Sequence, residues 1–104
     1  MNFLVYERRK GTDEKIDDLG ALVNGLTEWL GYLKQLNKQG KVVCHWAFHG
    51  GHGGITVYDV ASGEELQEIL KKNPMDETWV TREIHPVCTI EQAMENVFKY
   101  MTGV

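Results

Sequence analysis

The stretch that decides the fold is Lys41–Val60, KVVCHWAFHGGHGGITVYDV, in which two runs of strand-forming residues flank a cluster of glycines. These runs on either side of Gly50–Gly54 predict a β-hairpin. Three of the four histidines of the chain lie here, at His45, His49 and His52. Glycine permits tight turns, but it loses the most conformational freedom on folding. A cluster of this density therefore costs more conformational entropy than a hairpin turn by itself requires. The tip is either a mobile turn or a loop that closes over a ligand.

Two elements precede the hairpin. Residues 2–8 hold a short apolar run of strand-like length. From Asp13 the period changes, and leucine-rich apolar positions recur at three- and four-residue steps until Gly40, a glycine placed to end a helix. The sequence therefore predicts a strand followed by a long amphipathic helix.

A helix and a strand follow the hairpin. Ser62 and Glu65 form a capping box, which predicts a second helix that stops near Pro74. Residues 78–87 return to strand character. Pro86 near the end of this run favours an edge position, because proline cannot donate a hydrogen bond to a β-ladder.

A further capping box, Thr89 with Gln92, precedes a last apolar stripe and predicts a C-terminal helix. The order βαββαβ plus this helix is the ferredoxin-like arrangement, an α+β fold in which helices cover one face of an antiparallel four-stranded sheet. We therefore predict a ferredoxin-like sandwich with an extra C-terminal helix, forming a single domain over residues 1–104.

The uncovered face of this sheet predicts association between copies. Strand residues alternate between faces, so an uncovered face is either polar or buried against another protomer. Alternation along the second strand puts Val42, Cys44, Trp46 and Phe48 on one face, and Val43, His45, Ala47 and His49 on the other. A mixed apolar and histidine face fits the interior of a homodimer better than open solvent.

Size, charge and cysteine content exclude several classes of protein. A chain of 104 residues, 42% of them hydrophobic, is sufficient for one core. With a net charge of −4 and little clustering of basic residues, nucleic acid is not an expected partner. No apolar run approaches the roughly 20 residues that span a bilayer, so we expect no membrane association and a cytoplasmic location. Two separated cysteines argue against a disulfide framework or a structural zinc site.

A set of short motifs between residues 36 and 88 points to a known family. They are Gln39-Gly40-Lys41 at the helix end, Trp46 four residues before Gly50, Tyr58-Asp59-Val60, the run from Glu65 to Leu70, and Glu83 ahead of Pro86-Val87-Cys88. Together they resemble muconolactone Δ-isomerase. The resemblance implies a dimeric α+β barrel whose dimers assemble further, and a cofactor-free isomerase of small molecules.

The residues that carry catalysis in that family differ here. The resemblance implies an acidic-basic pair within the first helix and an arginine directly after the hairpin tryptophan, and the corresponding positions are Trp29-Leu30 and Ala47. Glu28 is adjacent, but a helix turns about 100° per residue, so Glu28 points largely outward from the apolar stripe. We therefore expect an isomerase-like protein with altered catalytic groups.

Histidine chemistry is the leading interpretation of the remaining polar residues. An imidazole with an ordinary pKa of about 6.5 can accept and return a proton near neutral pH. The candidate catalytic residues are His45, His49, Glu83 and His85. Since the second and fourth strands lie at opposite edges of the predicted sheet, these residues can form one site only across a dimer. The alternative is that the histidines are hydrogen-bonded interior residues and Glu83 is a solvated one.

Aromatic residues are candidates for binding a flat ligand, although aromatics at helix and strand spacing are more often core residues. The candidate substrate-binding residues are Trp29, Tyr32, Trp46, Phe48, His52 and Trp79. No metal site is expected, because His45 and His49 would lie roughly 13 Å apart on a regular strand. The alternative is a site of His49 and His52, joined by His85 from a second copy, if the glycine loop folds back. The predicted function is an isomerase-like protein that acts on or binds a small carbonyl or lactone compound; the alternative is a non-catalytic ligand-binding or assembly protein on the same barrel.

Overall fold

The computed structural model describes residues 1–10, 19–75 and 79–102. Within them the elements run β1 (Asn2–Arg9), α1 (Leu19–Lys38), β2 (Val42–Ala47), β3 (Gly53–Asp59), α2 (Gly63–Leu70), β4 (Val80–Val87) and α3 (Ile90–Met101). This order confirms the predicted α+β, ferredoxin-like arrangement with an extra C-terminal helix. Residues 13–18 of the predicted first helix and Thr78 of the predicted last strand lie outside the described residues. In the described part of the chain, no helix is both long and apolar enough to cross a bilayer.

The four strands form one antiparallel sheet in the order β2-β3-β1-β4. The central strand β1 pairs with both β3 and β4, while β2 and β4 form the two edges. Pro86 lies on β4, at an edge, where its missing N–H interrupts no second ladder. The edge position predicted for this strand is confirmed.

One face of the sheet packs against α1 and α2 and forms the hydrophobic core. Phe3 and Val5 of β1 lie in register with Tyr58 and Thr56 of β3, so the four side chains share this face. The core cluster comprises Phe3, Val5, Trp29, Leu33, Leu36, Val42, Tyr58, Val60, Leu66, Ile69 and Leu70. Burying each large side chain contributes about 1.5–3 kcal/mol. The apolar stripes of both helices therefore face the sheet, as the sequence predicts.

A β-bulge changes the faces of β2. Val42 pairs with Tyr58, but Cys44 pairs with Val57, so the bulged strand uses two residues where β3 uses one. The prediction that Val42, Cys44, Trp46 and Phe48 share a face is therefore wrong for Val42. Past the bulge, His45 pairs with Thr56 and faces the helices, together with the buried Val42. Strict alternation cannot reveal an inserted residue, because each half of the strand still alternates normally.

The opposite face of the sheet, which we call the open face, is apolar at its centre. Leu4, Tyr6 and Val57 are half-buried there. Trp46 on the edge strand β2 is 68% exposed, and the Phe48 ring lies 5.4 Å from the ring of Tyr6. The sequence predicts a mixed apolar and histidine face for the dimer interior, but His45 lies on the helix-covered face. Burial of the open face in a homodimer stays a prediction.

The α3 helix begins as predicted but buries none of its residues. The Thr89 hydroxyl oxygen accepts a hydrogen bond from the Gln92 N–H at 3.1 Å, so the N-terminal cap forms. The apolar and aromatic residues of the helix are nevertheless all exposed, from 52% for Met94 to 89% for Tyr100. The chain is elongated, extending 57 Å in its longest direction and 30 Å in the next.

Close packing of the strands explains part of the glycine cluster. Gly53 has a φ of 149°, and a Cβ there would overlap the carbonyl oxygen of Glu7 on the neighbouring strand. A side chain at this position would push β1 and β3 apart. Gly53 is therefore required by the sheet, independently of any role of the tip in binding a ligand.

Candidate functional site

A groove of about 420 Å³ lies between α1 and β2. Its lining residues are Leu30, Leu33, Lys34, Asn37 and Lys38 from the helix, and Val42 and His45 from the strand. The volume falls in the range typical of small-molecule sites, about 300–1,000 Å³. We call this cavity the α1/β2 groove.

The end of α1 fixes the shape of this groove. Gly40, with a φ of 79°, ends the helix, and the Lys41 N–H then donates to the Leu36 carbonyl oxygen at 2.8 Å. The Asn37 side-chain amide donates to the Val42 carbonyl oxygen at 2.8 Å. These bonds tie the last turn of α1 to the start of β2. The bulge that follows turns His45 towards the helix.

The chemistry of the groove comes from an imidazole and two ammonium groups. Leu30, Leu33 and Val42 supply apolar walls, while Lys34 and Lys38 project from successive turns of α1. Within the described residues, neither lysine forms an ion pair. His45 contributes an imidazole, whose ring nitrogens can accept and donate hydrogen bonds. The groove is therefore suited to a small compound that carries an oxygen with negative charge.

Glu83 and His85 form a pair on the open face of the sheet. Their side chains, two residues apart on β4, approach to 3.2 Å between Oε2 and Nε2, and both are exposed. His45 lies on the other face and on the other edge strand, with β3 and β1 between them. Three strand spacings amount to roughly 14 Å. Within one chain the structure keeps His45 apart from this pair, and a site shared between two copies stays a prediction.

The other two hairpin histidines lie in the turn. His49 lies two residues beyond the end of β2 and is exposed. His52 is also exposed, and its ring lies 3.1 Å from the position that a Cβ of Gly50 would take. Among the described residues, no three His, Cys, Asp or Glu side chains are grouped so as to hold a metal ion. A role of His49 in catalysis or of His52 in binding stays a prediction.

The predicted substrate-binding aromatics divide between core and surface. Trp29 is buried in the core, and its ring lies 5.8 Å from that of Tyr32. Tyr32 also accepts a hydrogen bond from the ammonium group of Lys72 at 3.3 Å. Trp29 and Tyr32 line a second hollow of about 300 Å³ together with Gly25, Glu28, Lys72 and Pro74. Glu28 therefore does have access to a hollow, though not to the α1/β2 groove.

The remaining aromatics lie away from both cavities. Trp46 and Phe48 belong to the open face, and Trp79 is half-buried just before β4. The Trp79 carbonyl oxygen accepts a hydrogen bond from the Lys10 N–H at 2.8 Å. No predicted substrate-binding aromatic lines the α1/β2 groove.

A polar cluster under the helices was not foreseen from the sequence. The Arg82 Nε donates to Glu7 at 2.9 Å, and the Arg82 guanidinium also donates to the Met75 carbonyl oxygen at 2.9 Å. The buried Asn73 donates to the same carboxylate at 3.4 Å. Burial raises the pKa of the nearby Tyr58 hydroxyl, and the negative charge of Glu7 raises it further.

The positions of Glu7 and Arg82 along their strands indicate this cluster in the sequence. Glu7 follows Phe3 and Val5 at two-residue steps, and Arg82 stands between Val80 and Ile84 in the same way. A charged residue in the inward phase of a strand needs a partner of opposite charge. The same pattern in both strands therefore indicates an internal ion pair between Glu7 and Arg82.

The fold and the groove define a ferredoxin-like α+β protein with a cavity of small-molecule size. The family model described as muconolactone delta-isomerase matches residues 13–93, and the chain belongs to that family. Sequence comparison with curated proteins gives no match.

Two solved structures share the fold. The crystal structure of muconolactone isomerase superimposes with a TM-score of 0.64 and 23% identity, over 86% of this chain and 90% of that one. The 5-chloro-2-hydroxyhydroquinone dehydrochlorinase TftG from Burkholderia phenoliruptrix AC1100, in complex with 2,5-dihydroxybenzoquinone, gives a TM-score of 0.59 and 13% identity, over 88% of this chain and 98% of that one. At these identities the likeness shows the fold alone. The family match ends within α3, whose residues beyond 93 it does not include.

Proposed function

We propose that this protein is a cofactor-free isomerase that moves a proton within a small carbonyl or lactone compound bound in the α1/β2 groove. The His45 imidazole removes a proton from the carbon next to the carbonyl group, and the electron pair of the broken C–H bond moves to the carbonyl oxygen. Lys34 or Lys38 stabilises the resulting enolate. Protonated His45 then returns the proton to another carbon of the conjugated system, so that atoms and charge balance.

The observation that carries this proposal is the arrangement of groups in the groove. One imidazole and two ammonium groups without ion-pair partners among the described residues border the apolar walls from Leu30, Leu33 and Val42. Membership of the muconolactone delta-isomerase family supports isomerisation of a small molecule. The fold neighbours, which by their names act on a lactone and a chlorinated hydroxyquinol, support a carbonyl-containing or easily tautomerised substrate.

The Glu83 and His85 pair offers the same chemistry at a different place. A histidine hydrogen-bonded to a carboxylate can also accept and return a proton. In the proposed homodimer, with the open faces of two copies together, this pair would become enclosed. It therefore stays the second candidate for the proton-transfer residues, alongside His49.

A binding or assembly role without catalysis is the alternative function. The observation in its favour is α3, a helix with exposed apolar residues along its length. Surfaces of this kind typically mark sites of protein association. We propose that the partner in either case is another copy of this chain, with no nucleic acid involved.

Muconolactone in D₂O provides the test, with proton NMR following exchange at the carbon next to the carbonyl group. We expect catalysed exchange in the unmodified protein, a loss of 10²–10⁴-fold in His45→Gln, and a lowered kcat in Lys34→Gln/Lys38→Gln, because these lysines stabilise the enolate. Lys71→Gln is the matched control, because Lys71 lies on α2 and pairs with Glu68.

The outcomes separate the candidates. Loss of exchange in His85→Gln with retention in His45→Gln would move the site to the open face. Exchange equal to that in buffer for every protein, together with saturable binding of the lactone, would support the binding role instead.

A further inference from the structure

The α3 helix has an unpaired apolar stripe with a heptad-like spacing. Ile90, Met94, Val97 and Met101 are separated by four, three and four residues, so they form one continuous stripe along the helix. All four are more than half exposed. An isolated helix of this length is marginal in water, because helices shorter than about 12–15 residues need tertiary packing. The helix therefore requires an apolar surface on which to pack.

One side of α1 carries a stripe with matching periodicity. Val23, Leu26 and Leu30 are separated by three and four residues, and the next residue of the series, Leu33, is buried in the core. Val23 and Leu30 are about half exposed, at 51% and 49%. Leu30 and Leu33 also line the α1/β2 groove, so a helix seated on this stripe would cover the groove.

The charges beside the two stripes are complementary and share the same spacing. Glu91 and Glu95 lie four residues apart on α3, and Lys34 and Lys38 lie four residues apart on α1. Within the described residues, none of the four forms an ion pair. A helix turns about 100° per residue, so the two glutamates lie beside the α3 stripe and the two lysines beside the α1 stripe. Viewed from the N-terminus of each helix, both pairs lie on the same side of their stripe. Two helices packed face to face bring such borders together when they run antiparallel.

The distance across the sheet favours a second copy over the same chain. The α1 helix contacts β2 at one edge, whereas α3 follows β4 at the other edge, roughly 14 Å away. Only Cys88 and Thr89 separate β4 from α3, and two extended residues span at most about 7 Å. The first turn of α3 therefore cannot reach the lysines of its own α1 while β4 stays paired.

We propose that α3 of one copy packs antiparallel on α1 of a second copy, with Glu91 facing Lys38 and Glu95 facing Lys34. This orientation also places the N-terminus of α3 beside the C-terminus of α1, where the helix dipoles attract. Repeated in both directions, the contact joins two copies by two identical interfaces. As a consequence that rests on the proposed function, the partner helix closes the α1/β2 groove and excludes water from His45.

Zero-length coupling of lysine to glutamate by a carbodiimide tests the contact in the full chain. Two charge-reversed proteins are made, Lys34→Glu/Lys38→Glu and Glu91→Lys/Glu95→Lys. Each protein by itself has like charges at all four positions and cannot couple there. Mixed together, they restore opposite charges at both interfaces, but only between chains. We expect coupled peptides joining positions 91 with 38 and 95 with 34 in the unmodified protein and in the mixture, and in neither variant by itself.

The Lys71 and Glu68 pair, 2.9 Å apart on α2, provides an internal control for coupling in every sample. Coupling between α1 and α3 in the unmodified protein but not in the mixture would place α3 on its own chain and overturn the proposal. Coupling of Lys71 to Glu68 with none between α1 and α3 would place α3 elsewhere. Predominant coupling of 91 with 34 and 95 with 38 would overturn the antiparallel orientation. Because no substrate is used, these outcomes are independent of whether His45 is catalytic.

Discussion

The helices α2 and α3 start in the same way but differ in what they bury. In both, a hydroxyl side chain caps the first turn, from Ser62 in α2 and from Thr89 in α3, by accepting a hydrogen bond from the N–H three residues later. Both are amphipathic. Yet α2 buries Leu66, Ile69 and Leu70 against the sheet, whereas α3 buries no residue.

This difference separates two kinds of information in the sequence. Caps and periodicity specify where a helix forms and which side is apolar. They do not specify which surface covers the apolar side. For α2 that surface belongs to the rest of the same chain. For α3 we have proposed that it comes from a second copy. The predictions below compare the two helices through stability and its dependence on protein concentration.

The largest expected difference is between Leu66→Ala in α2 and Phe98→Ala in α3. Leu66 is 1% exposed, so its truncation leaves a cavity, and we expect a loss of about 2–5 kcal/mol in the free energy of unfolding at every protein concentration. Phe98 is 61% exposed, and we expect a change within about 0.5 kcal/mol for the dissociated chain. Denaturant unfolding at several protein concentrations measures both.

The concentration dependence of Phe98→Ala is the sharper part of this test. Phe98 lies beside the apolar stripe of α3, on the same side as Glu91. If α3 packs on a second copy, the variant therefore lowers the association constant about tenfold or more, since 1.4 kcal/mol corresponds to a factor of ten. Analytical ultracentrifugation measures that constant. A loss of several kcal/mol in Phe98→Ala that does not vary with concentration would mean that α3 packs within its own chain.

Much of the fold could be predicted because local and long-range signals agree. The stripe of α1, the cap at Ser62 and the edge position of Pro86 each depend on residues close in sequence, and together they specify the order of elements. The faces of β2 could not be predicted in the same way. The bulge between Val42 and Cys44 adds one residue without changing the alternation on either side.

The same bulge explains why the candidate site was only partly predicted. His45, a predicted proton-transfer residue, lines the groove, and that role stays a prediction. The sequence did not predict Lys34 and Lys38 beside it, because the expected alternation grouped His45 with His49 rather than with α1. Glu7 and Arg82 were missed although their strand phase points inward. A charged residue at a strand position that faces the core needs a partner of opposite charge, so a search for such partners between strands would have identified Glu7 with Arg82.

Tyrosine titration gives an intermediate effect that also separates the two regions. Tyr58 lies in the same buried cluster as Leu66, and burial raises the pKa of its hydroxyl above the ordinary value of 10. A folded-state pKa raised above the unfolded one gives stability that is present below about pH 10 and is lost as pH rises further. We expect this group to lower the free energy of unfolding by about 1.4 kcal/mol per pH unit above 10.

Chemical denaturation between pH 8 and about pH 11 checks this dependence. Tyr58→Phe removes the titrating hydroxyl, so its stability should fall less steeply above about pH 10 than that of the unmodified protein. Tyr100→Phe on α3 is the matched control, since Tyr100 is 89% exposed. Parallel curves for Tyr58→Phe and the unmodified protein would contradict the burial of this hydroxyl as a source of the alkaline loss.

The smallest expected effect compares the two caps directly. Ser62→Ala removes the acceptor for the Glu65 N–H, and we expect a loss of about 1 kcal/mol in the free energy of global unfolding, because α2 unfolds together with the core. Thr89→Ala removes the equivalent acceptor from α3, but in the dissociated chain that helix is not part of the core, so global unfolding should not change. The loss should appear instead as roughly fivefold faster amide exchange at Gln92 and Ala93, since about 1 kcal/mol corresponds to that factor.

Hydrogen exchange followed by NMR at low protein concentration measures both variants, with Thr27→Ala within α1 as a control for loss of an exposed hydroxyl. Equal losses of global stability in Ser62→Ala and Thr89→Ala would show that α3 unfolds cooperatively with its own chain, and would remove the difference between the two helices.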